Sequence, residues 1–232
     1  MGLYYLAIDI GASSGRHILG HVQNGRMLLE EIHRFENRQV RRDVHDCWDV
    51  QHLWQGILDG LKICKTLGKI PASVGIDTWA VDFVLLGESG DRISDAVAYR
   101  DSRTDGMDRL VEAKIPAEEL YAHTGIQKQN FNTIYQLVAL QQEHPEQLEA
   151  AHSLLMIPDY FNYLLTGVKK QEYTNATSTG LVNAAAKEWD RELLERLGLP
   201  VRLFGTLSMP GETVGPLRPD IAETVGFQTT VV

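Results

Sequence analysis

The sequence predicts an α/β domain, and three observations carry that prediction. Strand patterns crowd the first 35 residues, an amphipathic helix follows and leads into another strand, and from residue 102 the pattern is mainly helical. The 232 residues are enough for one large domain or two small ones with a sizeable core. A content of 44% hydrophobic and 23% charged residues is that of an ordinary globular protein.

Residues 3–10, LYYLAIDI, are rich in aromatic and β-branched side chains and stop at Gly11, as a strand does. RHILGHV, residues 16–22, reads as a second strand, and Asn24-Gly25 is a two-residue hairpin signal. MLLEEIHRF returns as a third strand. There Leu28, Glu30 and Ile32 share one face and Leu29, Glu31 and His33 the other, so the alternation is imperfect. Asp49 is placed to cap a helix with Val50, Leu53, Trp54, Ile57, Leu58, Leu61 and Cys64 on one stripe, ended by Gly68 and Pro71. SVGIDTW is the next strand. VDFVLLG, the turn Glu88–Asp91 and RISDAVAYR then form a further hairpin. MDRLVEA, AEELYAHTG, FNTIYQLVALQQEH and PDYFNYLLTG are helix patterns, with Pro145 and Pro158 suited to first helical positions. Residues 174–180 read as a polar loop. WDRELLERLG reads as a last helix, before a Pro/Gly-rich segment from Pro200 to Pro219.

Bulk charge and cysteine usage exclude several functions. A net charge of -9 argues against general nucleic-acid binding, which needs a basic surface. Two cysteines, Cys47 and Cys64, without CxxC spacing argue against a disulfide scaffold or a zinc site and fit a reducing compartment. Cys64 falls on the apolar face of its helix and reads as a buried thiol. The N-terminus shows no basic region followed by an apolar one, and no apolar run reaches the roughly 18 residues of a membrane span. The expectation is a cytoplasmic protein without a membrane partner. The eight histidines form no HExxH or HxxH pair, and His17 and His21 read as strand packing or surface residues. No GxSxG elbow is present, which leaves a covalent hydrolase unsupported.

Three polar stretches remain. Gly11-Ala12-Ser13-Ser14-Gly15 is small throughout, which lets an oxyanion approach backbone N–H groups, and Ser13 and Ser14 add hydroxyls. Arg16 supplies a fork suited to phosphate, and Asp9 before the loop is where a carboxylate holding Mg²⁺ would stand. The stretch matches neither a P-loop nor a dinucleotide fingerprint. A plain glycine turn with a solvated Arg explains it as well. Gly75–Phe83 carries Asp77, Trp79 and Asp82 between apolar strands; acids beside an aromatic suit a sugar, and equally serve to brace a turn. Tyr99–Arg103 is either the rim of a site or a surface ion-pair network.

The segments AIDIGASSGR, EIHRF, GIDTWAVDFVLL, AYRDSRT, FNTIYQL, MIPDYFNYLLTG and EYTNATST, in this order, resemble the FGGY family of carbohydrate kinases. The resemblance runs over nearly the whole chain and is clearest from Ala7 to about Val182. It implies residues 1–232 as the N-terminal one of two actin-like domains, with an RNase H-like core of mixed sheet and flanking helices. The β-β-β-α-β order read above is the order such a core requires. ATP and Mg²⁺ are the implied cofactors, and ATP and a small sugar the implied partners. Asp9, Gly11, Ala12, Ser13, Ser14, Gly15 and Arg16 would bind the nucleotide phosphates, with Asp9 holding Mg²⁺ directly or through water. Trp79, Ala80, Asp82, Phe83 and Arg100 would form the sugar pocket, with residues 174–179 at its periphery. The branch of closest resemblance phosphorylates the 1-hydroxyl of L-rhamnulose; L-fuculose or xylulose, or a non-catalytic binding role, are the alternatives. Members of that branch generally have Gly where Ala80 stands. Their catalytic Asp lies in a His-Asp-Thr segment after the region matching Phe227–Val232, so no catalytic residue is expected within this chain and the chain alone is expected to be inactive.

Overall fold

The opening meander forms where its pattern places it. β1 (Tyr4–Ile10), β2 (Ser14–Gln23) and β3 (Arg26–Glu36) pair antiparallel in turn, and the computed structural model describes residues 2–232. Asn24 (φ 51) and Gly25 (φ 72) both take left-handed backbone, the requirement of a two-residue turn that follows strand twist. The imperfect alternation of β3 has a structural cause. His17 pairs with His33 but Ile18 pairs with Glu31, so Ile32 is an extra residue, a bulge that reverses which face each side chain takes.

β4 (Gln39–Arg42) and β5 (His45–Trp48) form a small hairpin that sequence patterning passed over; both strands are short and carry charged residues. Asp49 caps α1 (Val50–Thr66) by accepting the His52 N–H at 3.2 Å. The predicted stripe is buried from Val50 to Cys64, except for the half-buried Trp54. β6 (Pro71–Thr78) then lies parallel to β1.

β7 (Phe83–Leu86) leaves this sheet. The expected hairpin with RISDAVAYR closes its turn, Gly87 N–H to Asp91 O at 2.9 Å, but no return strand forms. The Leu85 N–H goes to the Ser94 hydroxyl at 2.8 Å, and β7 takes its ladder instead from a later strand. After it come α2 (Met107–Glu112), α3 (Ala117–Thr124), α4 (Thr133–Glu143), α5 (Pro145–Ala150), that partner strand β8 (Ser153–Met156), and α6 (Ile157–Thr166). Pro145 opens α5 and Pro158 sits in the first turn of α6, as expected.

The remaining chain is finely divided. β9 (Gln171–Glu172) leads into α7 (Tyr173–Thr177), a helical turn where a loop was expected; the Glu172 carboxylate accepts the N–H groups of Thr174 and Asn175, both at 2.9 Å, and nucleates it. β10 (Val182–Asn183) pairs with β11 (Glu188–Trp189), and Asp190 caps α8 (Arg191–Leu197). β12 (Leu207–Ser208) pairs with β9. β13 (Gly215–Pro216), α9 (Pro219–Val225) and β14 (Thr230–Val231) complete the fold.

The main sheet runs β13-β14-β6-β1-β2-β3 and is mixed: β6 is parallel to β1 and to β14, and the other pairs are antiparallel. Leu6, Ile8 and Ile10 join Leu53, Ile57 and Leu61 of α1, Phe161 and Leu165 of α6, and Ile221 and Val225 of α9 in one core. Tyr5 and Ala7, which alternate with them, are exposed, so the helices cover one face of β1 and leave the other open. A second core lies in the helical lobe, around Leu85, Ile134, Leu137, Leu154, Leu193 and Leu203.

Candidate phosphate and sugar site

The loop between β1 and β2 is shorter than its composition indicates. Only Gly11, Ala12 and Ser13 lie outside the strands. Gly11 N–H donates to Ser14 O at 2.9 Å, and Asn37 clamps the turn through its N–H to Ser13 O (3.0 Å) and its side-chain amide to Gly11 O (2.8 Å). Among the described residues, the N–H groups of Ala12 and Ser13 donate to no protein acceptor. Gly11 and Ser13 are exposed. Gly15 has a different reason to be glycine: it is buried, and a Cβ there would overlap the edge of the Phe35 ring. Its missing side chain makes room for Phe35, not for a phosphate.

Strand register arranges the charges. Asp9 lies opposite Arg16 across the β1–β2 ladder and opposite Asp77 across the β1–β6 ladder. Arg16 donates to Asp9 Oδ2 through Nε (2.8 Å) and Nη2 (2.6 Å). Arg34, which the sequence reading did not single out, lies opposite Arg16 on β3 and donates from Nη1 to the Ser14 hydroxyl at 3.2 Å. Partial burial and then the Asp9 charge push the Asp77 carboxyl above the usual range. Two carboxyls side by side repel, and a divalent cation relieves that repulsion. The residues present therefore fit Mg²⁺ at Asp9. Among the described residues no group of three potential ligands occurs, so such an ion would take its other oxygens from phosphate and water.

The turn after β6 is strained. Val81 has φ 68, a conformation costly for a β-branched residue, on the order of 1–3 kcal/mol. Asp82 N–H closes onto Ala80 O at 2.9 Å, and Val81 O accepts from the Thr133 hydroxyl (2.6 Å) and from Gln136 Nε2 (3.2 Å). Asp82, expected as a pocket side chain, lies beneath the turn with 0% exposure. Its Oδ2 accepts from Trp48 Nε1 (2.6 Å), Trp79 Nε1 (2.8 Å) and Tyr99 N–H (3.0 Å), and its Oδ1 from Gln136 Nε2 (2.9 Å). Burial pushes this carboxyl up to about 6 despite those four donors. Phe83, also expected in the pocket, is a core residue of the helical lobe. Both shape the turn from below, because β7 dives into the second core immediately after it.

The surface of the turn is made by others. Ala80 is exposed, and Trp79 is half-buried with its ring centroid 4.2 Å from that of Trp48. Arg100 is exposed over the Tyr99 ring, 5.3 Å from its centroid. Asp101 turns inward, where the N–H groups of Asp46 and Arg103 and the His45 ring more than offset burial and hold its carboxyl low. Beside Asp77 and Thr78 a cleft of about 410 Å³ opens toward α6 and α7, lined by Asp159, Asn162, Thr174 and Asn175. Asp159 is buried and, among the described residues, accepts only the Glu172 N–H, at 3.2 and 3.3 Å; burial raises its carboxyl to about 7. Both cysteine thiols are free, and burial pushes each up to about 11, which leaves them unreactive.

This arrangement of a mixed sheet with flanking helices is the fold of sugar kinases of known structure. Gluconate kinase from Lactobacillus acidophilus superposes with a TM-score of 0.87 at 18% identity, covering 100% of this chain and 47% of that one. Xylulose kinase from the same organism gives 0.86 at 18%, covering 99% and 47%. At that identity the likeness establishes the fold. The chain belongs to the FGGY family of carbohydrate kinases, whose N-terminal domain matches residues 4–232. It is 52% identical over 227 residues to the rhamnulokinase of Oceanobacillus iheyensis, covering 98% of this chain and 48% of the relative. It is 46% identical over 216 residues to that of Bacillus subtilis, covering 93% and 44%. The chain thus spans about half the length of the curated relatives it matches.

Proposed function

We propose that this chain is the N-terminal half of an ATP-dependent kinase that phosphorylates the 1-hydroxyl of L-rhamnulose in the cytoplasm. The observation that carries the reading is the 52% identity, over 98% of the chain, to a protein named rhamnulokinase. In this reading the Ala12 and Ser13 N–H groups, the Ser13 and Ser14 hydroxyls and Arg16 hold the nucleotide phosphates. Asp9 would hold Mg²⁺, directly or through water, and the ion would supply charge neutralisation at the transferring phosphoryl group. Ala80, Trp79 and Arg100 face the ketose, and Asp82, Phe83, Thr133 and Gln136 keep their turn in place. The base that takes the hydroxyl proton belongs to the half of the relatives that this chain does not match. Asp82 has both oxygens committed to four donors and is not available for that role.

A coupled assay with MgATP tests this reading. The full-length gene product is expected to turn over L-rhamnulose faster than L-fuculose or xylulose, and the 232-residue chain to give negligible turnover. A preference for another ketose would reassign the substrate. Loss of no activity in Asp9→Ala or Arg16→Ala would favour a non-catalytic role for this domain.

A further inference from the structure

The segment EIHRF contributes a charge to the loop that the phosphate site above does not use. Glu31 and Arg34 are three apart in a strand, and regular alternation would send them to opposite faces. The bulge at Ile32 cancels that: Arg34 pairs with Arg16 and Glu31 with Ile18, both on one face of β2. Arg34 then binds Glu31 through Nε (2.9 Å) and Nη2 (2.6 Å) while Nη1 reaches the Ser14 hydroxyl. The result is a row across the open sheet face, Asp9, Arg16, Arg34, Glu31, with the two cations adjacent in the middle. Like charges directly opposite across strands are unfavourable, and here each cation has one flanking carboxylate as compensation. The Arg34–Glu31 pair is solvent-exposed, with Arg34 50% and Glu31 41% exposed, so it is readily exchanged for a stronger anion.

We propose that Arg34 is a second phosphate-binding side chain of this site, held by Glu31 in the free protein and transferred to a nucleotide phosphate oxygen when ATP reaches the loop. The planar fork suits the exchange: the two nitrogens now on Glu31 fit two phosphate oxygens equally well, and Nη1 keeps its place on Ser14. The proposal rests on reading the Gly11–Ser14 loop as a phosphate site. It assigns to Arg34 a substrate contact, and to Glu31 a positioning role that competes with that contact.

The test is steady-state kinetics of Arg34→Ala, Arg34→Lys and Glu31→Gln in the full-length protein, beside Arg16→Ala. Arg34→Ala is expected to raise the KM for MgATP about tenfold, with the ketose KM within about twofold of the parent. Arg34→Lys recovers part of the loss, because it keeps the charge without the fork. Glu31→Gln lowers the KM for MgATP by freeing the guanidinium. On the 232-residue chain itself, titration with inorganic pyrophosphate gives a second readout, and Arg34→Ala is expected to flatten its salt dependence. An Arg34→Ala protein with an unchanged MgATP KM overturns the proposal. So does one in which both KM values and the melting temperature move together, since that marks a structural role. An Arg16→Ala protein with unchanged MgATP KM sinks the reading of the loop as well; a strong Arg16 effect beside a silent Arg34→Ala sinks only the proposal.

Discussion

Thr133 decides whether the Ala80–Asp82 turn keeps its shape. Its buried hydroxyl donates to the carbonyl of Val81, a residue held at φ 68 against its own preference. Thr133→Val preserves volume and removes the donor, leaving that carbonyl with Gln136 alone. The expected cost is about 1–3 kcal/mol in a denaturant titration, together with a raised ketose KM in the full-length protein. A variant as stable as the parent would show that the turn is self-supporting. Arg16 makes the complementary case at the other end of the site. Its side chain is 43% exposed and its ion pair with Asp9 is worth about 0–1 kcal/mol, so Arg16→Ala is expected to leave the melting temperature nearly unchanged while weakening MgATP binding about tenfold. Retained nucleotide affinity would remove Arg16 from the phosphate site.

At the scale of elements, the open face of the sheet is useful because the other face is so closely packed. β2 and β3 approach α1 through two ring systems: His17 lies on Gly60, and Phe35 lies on both Gly15 and Gly56. Among the described residues the His17 ring has one hydrogen bond, between Nε2 and Ile57 O at 3.2 Å, and its Nδ1 has none. Gly60→Ala would improve intrinsic helix propensity by roughly 1 kcal/mol. Its Cβ would overlap the His17 ring, and neither the helix nor the strand can retreat without opening the core. Net destabilisation of about 1–3 kcal/mol is expected by thermal or chemical unfolding. A stabilised Gly60→Ala protein would mean that β2 shifts freely against α1, and the charge row on its outer face would then be less firmly placed than its register indicates.

The molecule as a whole carries buried titratable groups with opposite pH effects. His17 is pushed down to about 4 by burial and then by His33. It stays neutral in the folded protein while the unfolded chain takes up a proton, so stability is lost as pH falls from about 6.5 toward 4. Asp82 (about 6) and Asp159 (about 7) are pushed up by burial, so the folded protein holds their protons longer than the unfolded chain. Their contribution is full below about 3.8 and is lost as pH rises through 6 and 7. The two effects oppose each other between about 4 and 7, where His17 offsets part of what the two carboxyls lose as pH rises. Asp159→Asn removes one of them. The melting temperature of Asp159→Asn relative to the parent should be higher at pH 8 than at pH 5, by on the order of 5 °C. Equal differences at the two pH values would show that Asp159 titrates normally.

The sequence by itself determined the parts whose information is local. The period of Leu6, Ile8 and Ile10, the Asn24-Gly25 turn, the Asp49 cap and the stripe from Val50 to Cys64 depend on neighbours within a few residues, and each is found in place. The turn between β1 and β2 was legible for the same reason. Tertiary structure alone decided the rest. The two-residue strand β14 has no pattern of its own and exists because β6 offers an edge. The helical turn of α7 depends on the Glu172 carboxylate rather than on the propensities of TNATS. Asp82 looks like a site residue in sequence and is a buried brace in space, since its four donors come from Trp48, Trp79, Tyr99 and Gln136, far apart along the chain. Arg34 reaches the Ser14 hydroxyl only through strand register and a one-residue bulge. Alternation and capping are short-range and are written in consecutive residues, whereas register, bulges and buried donor sets arise from packing between distant segments.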